Sequence, residues 1–187
     1  MKGFYYILII YLVSLSPSIA VGQSSELPSA IETLFNAQQF EEIINSATEI
    51  KTYSEKNQDS TSAELLYFLG DAYLAMDQIE AGLTIMEEEL ELRKDLPNSD
   101  PLIMADLSYN LSYYLSLLGE ANKAIEKINF AISLYEKNLE PEDEIITSSK
   151  IELSKILSNA GKEKQAIATL NSLNSPNQNV SFEINKE

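Results

Sequence analysis

Residues 119–125 read Gly-Glu-Ala-Asn-Lys-Ala-Ile, and this short stretch decides the fold. A glycine sits where one apolar-periodic segment stops, and an alanine follows five residues later at the start of the next. The same pair returns 42 residues on, as Gly161 and Ala166. Working back, Gly82 lies 42 residues before Ala124, and Ile43 lies 39 before Gly82. A fixed period of this length is the signature of a stacked repeat, in which each unit buries its apolar face against its neighbours.

The spacing inside each unit is helical. Leu107, Leu111, Leu115 and Leu118 mark one stripe, and Ile125, Ile128, Ala131, Ile132 and Tyr135 mark a second. Apolar residues three and four apart share one helix face. Each unit is therefore expected to be two antiparallel helices joined by a short turn. Gly119 and Gly161 fall at those turns, where a left-handed residue is needed and glycine adopts it at least cost. Asp77 and Gln38 hold the corresponding places in the second and first units. Small residues at Gly82, Ala124 and Ala166 are expected where the two helices cross, because close approach of backbones needs small side chains. Asp100-Pro101 reads as an N-cap with proline at the first helical position, and Glu140-Pro141 as its counterpart one period later. Leu96-Pro97-Asn98-Ser99 ends the helix before it.

The expected organisation is a signal segment over residues 1–22, helical units near 24–58, 60–96, 100–139 and 141–174, and a polar flexible tail at 175–187. The first 22 residues have the layout of an export signal: Lys2, an apolar run from Phe4 to Leu15, then Ser16-Pro17 and small residues. Cleavage is expected after Gly22, with Ala20 as the other site. The apolar run is short for a membrane core, which takes about 20 residues, so retention as an anchor is the lesser alternative. The expected location is outside the cytoplasm, periplasmic or secreted, with no membrane insertion after cleavage.

Composition removes whole classes of function. There are 29 acidic residues against 13 basic ones, and no Cys or His. A net charge of -16 disfavours nucleic acid, whose phosphates need clustered cations. Lack of Cys and His removes disulfides, thiol nucleophiles, zinc sites and imidazole acid–base catalysis. No phosphate-cradling loop, calcium loop or nucleophile elbow occurs. No enzymatic activity, metal or cofactor is expected. The acidity keeps the chain soluble and, as a second role, steers a basic partner. The run Glu87, Glu88, Glu89 and Glu91 reads as a solvated helix face.

The residues resemble the tetratricopeptide repeat (TPR) family. Leu69-Gly70-Asp71-Ala72-Tyr73 looks like its first-helix motif, and the 119–125 stretch like its turn and second helix. The 42-residue period is similar to the long-period variety in kinesin light chains, with 134–143 resembling the linker there. The resemblance covers roughly residues 27–173. The first unit departs in having Gln38 at its turn, and the fourth in having Lys150 where a large apolar residue is expected. The resemblance implies an all-α, right-handed α-α superhelix whose first helices line a concave binding surface. On that surface it places Tyr67, Phe68, Asp71 and Leu74, then Tyr109, Asn110, Tyr113 and Leu117, then Ile151, Glu152 and Lys155. Asn110 matches a family asparagine that grips peptide backbone. The function implied is an exported scaffold that binds a protein or peptide segment. The alternative is a sensory input module of a membrane-associated signalling complex, since such repeats also resemble periplasmic sensor portions of some bacterial proteins.

Overall fold

The computed structural model describes residues 26–173. The signal segment at 1–22 and the tail at 175–187 lie outside the described residues. Nine helices occur among them: α1 Leu27–Asn36, α2 Phe40–Asn45, α3 Ala47–Asn57, α4 Ser60–Ala75, α5 Ile79–Asp95, α6 Pro101–Leu117, α7 Ala121–Asn138, α8 Glu144–Asn159 and α9 Glu163–Leu173. No strand is present among the described residues.

One turn is used four times. Gln39 N–H donates to Leu34 O, Gln78 to Tyr73 O, Glu120 to Leu115 O and Lys162 to Leu157 O, at 2.8–2.9 Å. The residue before each donor takes the left-handed conformation: Gln38 φ 56°, Asp77 57°, Gly119 78° and Gly161 70°. Each of these residues also donates its own N–H to a carbonyl three residues back. This is the Schellman arrangement, which satisfies carbonyls that a helix end would leave bare. It reverses the chain after α1, α4, α6 and α8, so each is followed by an antiparallel partner.

Three of the first helices start with the same device. The Asp59 carboxylate accepts from Ser62 N at 2.8 Å, Asp100 from Leu102 N at 2.8 Å and Asp143 from Ile145 N at 3.0 Å. The last differs from the expectation. Asp143, not Glu140, caps α8, and Pro141 lies in the turn before it. A short Asp carboxylate folds back onto the helix N-terminus, whereas Glu is too long to make the same contact well.

The partner of α1 is split. Ser46 separates α2 from α3, and its N–H is shared between Glu42 O and Ile43 O. Its hydroxyl also bonds Glu42 O at 3.0 Å, a local pull on the backbone that bends helices.

The small residues sit at the crossings. A Cβ added at Gly82 would lie 3.2 Å from Gly70 O and 2.7 Å from a Leu74 methyl. The equivalent pair one unit on is Ser112 and Ala124, both fully buried. The next is Ser154 and Ala166, where the serine hydroxyl donates to Ala166 O at 3.2 Å. Around these crossings two large apolar clusters run along the stack. One joins α1 to α5 through Ile31, Ile43, Ile50 and Leu69; the other joins α5 to α9 through Leu90, Leu111, Ile128 and Ile156. The core is thus continuous from unit to unit, and no helix pair is closed on its own. Lys150 avoids burying its charge by pairing with Glu136 on α7 at 2.6 Å.

Candidate functional site

Three helices from two units converge on one cavity of about 480 Å³. Helix α4 presents Ser60, Glu64, Tyr67 and Asp71, a single face at helical spacing. Helix α6 presents Ile103, Asp106, Leu107 and Asn110 opposite it. The floor comes from α5, through Met86, Glu89 and Arg93.

Glu89 is the unusual member. It is 2% exposed, and its Oε1 accepts from Arg93 Nε at 2.6 Å. Its Oε2 is buried with no hydrogen-bond partner. Burial pushes its carboxyl up to about 7, the nearby Asp71 adds to this, and Arg93 opposes it. A buried carboxyl with one oxygen uncompensated is costly to ionise, so its proton is held close to neutral pH.

The cavity wall is linked to it. Burial, and then the neighbouring Asp71 carboxylate, raise the Tyr67 phenol to about 12. Asp71 itself is raised by burial, against the lowering effect of the nearby Tyr67 hydroxyl. Across the cavity, Tyr135 on α7 donates to Asp106 Oδ1 at 2.5 Å, and this contact steadies the α6 wall.

The residues singled out on the first helices separate into groups. Tyr67, Asp71 and Asn110 come together in the cavity. Phe68 does not: it is a core residue, with its ring 4.7 Å from that of Phe35. One residue's rotation around α4 turns it from the open face into the α1 packing. Leu74 likewise covers Gly82. Tyr109 lies half-buried nearer α8, where burial and then Glu152 raise its phenol and Lys155 lowers it. Lys155 is exposed and paired with Glu152 at 3.0 Å. Tyr113 is exposed and meets Tyr114 edge-on at 5.3 Å. Ile151 and Leu117 are exposed.

The sequence reading missed Glu89, Arg93, Glu64 and Asp106. For Glu89 it must be corrected: within the acidic run, Glu88 and Glu91 do face solvent, but Glu89 is buried. A signal was available. Glu89 follows Ile85 by four and Met86 by three, so it lies on the buried stripe of α5. One period later the same position is Ala131, fully buried.

No metal-type cluster of three or more acidic side chains occurs among the described residues. No helix of the described residues is long and apolar enough to cross a membrane.

The solved structures settle the architecture. The chain matches BtubC (BKLC) from P. vanneervenii with a TM-score of 0.64 and 16% identity, covering 88% of this chain and 73% of that one. It matches nearly identical TPR-like repeats of kinesin light chain type from Podosopora anserina with a TM-score of 0.60 and 18% identity, over 81% and 75%. It matches MamA with a TM-score of 0.57 and 19% identity, over 80% and 75%. The fold is a TPR-like helical solenoid. It is the all-α, right-handed α-α superhelix that the resemblance implied. No family model matches the sequence, and no curated protein does.

Proposed function

We propose that this chain is an exported interaction scaffold that holds a protein or peptide segment on the concave side of the solenoid, across α4, α6 and α8. The observation that carries this reading is the cavity between α4 and α6, open at a surface that also exposes Tyr67 and Tyr113, 40% and 46% accessible. Exposed aromatic rings beside a cavity give large contact area at low entropy cost. Asn110 at the edge offers both a donor and an acceptor to a peptide backbone. The TPR-like architecture supports a binding role without catalysis, and the export pattern at 1–22 supports a location outside the cytoplasm. The acidic surface favours a basic partner.

Affinity capture with the purified protein tests this. A stoichiometric protein complex is expected, and Tyr109→Ala with Tyr113→Ala together should reduce its recovery by tenfold or more, since aromatic anchors commonly carry about 2 kcal/mol or more. Asn110→Ala should weaken the complex with no change in thermal stability. Capture that is indifferent to all three changes would move the binding surface elsewhere.

A further inference from the structure

We infer that the α4/α5/α6 cavity is a socket for one organic cation, the ammonium or guanidinium head of a side chain on the bound segment, which completes the hydrogen bonding of Glu89 Oε2. This deepens the scaffold reading and rests on it.

Four carboxyl groups line the cavity (Glu64, Asp71, Glu89 and Asp106) against one guanidinium, Arg93. The guanidinium is already engaged with Glu89 Oε1. The other oxygen of that carboxyl is buried and unpartnered. Buried polar atoms in folded proteins nearly always have a partner, and Glu89 lines this cavity, so a donor entering there can supply the missing one. The surrounding carboxylates select a charged donor over a neutral one. A bare metal ion fits poorly, because no three acidic groups gather closely enough to share one. A cation on an alkyl stem fits better. Met86, Ile103 and Leu107 supply apolar wall for the stem, and Tyr67 adds an aromatic side chain to the lining. A cavity of about 480 Å³ holds such a side chain with room to spare.

The socket is linked to protons. The charged and titratable groups around Glu89 are Glu64, Tyr67 and Asp71 on α4, Arg93 on α5 and Asp106 on α6. With its carboxyl held near neutral pH by burial, Glu89 is mostly protonated at pH 6 and mostly ionised at pH 8. An incoming cation pairs with the ionised form, so binding displaces the proton and strengthens as pH rises.

The test uses capped pentapeptides with a central lysine, arginine or norleucine, and n-butylamine, titrated into the full protein by NMR. The lysine or arginine peptide should shift signals of Tyr67, Glu89 and Asn110 and bind about tenfold tighter at pH 8 than at pH 6, following the ionised fraction. The norleucine peptide should bind at least tenfold more weakly. Glu89→Gln keeps size and an acceptor for Arg93, and should lose about tenfold in affinity and the pH dependence with it. If Glu89→Gln folds poorly, Asp71→Asn on the half-buried wall should weaken the lysine and arginine peptides several-fold while the pH dependence carried by Glu89 persists, and unchanged affinity in that variant would count against the socket. n-Butylamine binding as tightly as the peptides would assign the socket to free amines, supporting the cation site while removing its peptide. Equal binding by the norleucine peptide, or no response at the cavity up to 10 mM peptide, about the limit for side-chain-sized contacts, would overturn the socket. A protein complex that needs Tyr109 and Tyr113 but is indifferent to Glu89→Gln would overturn the socket alone and leave the scaffold standing.

Discussion

Gly119 and Asp77 perform the same task with different chemistry, and their comparison isolates a backbone cost. Both take a positive φ at an identical turn. A Cβ at Gly119 would meet nothing within 4 Å, so any penalty there is purely conformational. Gly119→Ala should therefore cost about 1–2 kcal/mol, and Asp77→Gly should gain about 0.5 kcal/mol, in urea unfolding. At Glu89 the governing effect is ionisation. Its carboxyl titrates near 4.5 when unfolded and is pushed up to about 7 by burial in the fold. Between those values the native state holds the extra proton, so stability is greatest below about 4.5 and falls as pH rises through 7. The wild type should lose roughly 2–3 kcal/mol more than Glu89→Gln between pH 5 and pH 8. Equal slopes for the two proteins in pH-dependent melting would place Glu89 in water. This residue was hard to read because three neighbouring acids in its run are surface residues. Only its register against Ile85 and Met86 separates it from them.

Helices here are specified by their ends and crossings more than by composition. The turns were legible because glycine at Gly119 and Gly161 is a strong local signal, repeated at one interval. The cap at Asp143 was less so, since Pro141 offered a competing start two residues earlier. The crossing pairs show why small residues recur. Gly70 with Gly82, Ser112 with Ala124 and Ser154 with Ala166 each bring a first helix onto its partner, and each first-helix member also keeps the 42-residue interval. The second-helix members were visible in the sequence. On the first helices Gly70 stands out only as part of a motif and Ser112 and Ser154 do not stand out at all, because glycine and serine do not look alike until the contact shows that size alone matters. Ala124 is fully buried at such a crossing. Ala124→Leu should cost about 1–3 kcal/mol by overpacking and lower the melting temperature by several degrees. An unchanged melting curve would contradict the close approach of α6 and α7.

At the scale of the whole molecule, periodicity makes the architecture readable and hides the site. A period is a property of equivalent positions, and the fold follows from them. The cavity depends on positions that are not equivalent: Glu64 and Tyr67 from one unit, Glu89 from its second helix, Asp106 and Asn110 from the next unit. They are separated by up to 46 residues and meet only because the units stack at this angle. Tyr135 shows the same break in symmetry, since the matching position one unit earlier is Arg93, which turns to Glu89 rather than across to the first helix. Stacking also predicts cooperativity. Leu153, Ile156 and Leu157 of α8 share a cluster with Leu111 and Ile128. Removing 144–173 should expose that cluster and broaden the unfolding transition of the remainder. The most direct measurement is hydrogen exchange on the captured complex. Binding should slow exchange in 60–71 and 103–110, with the outer surfaces of α5 and α7 unaffected. Protection confined to α5 and α7, with α4 and α6 exchanging as in the free protein, would contradict the account.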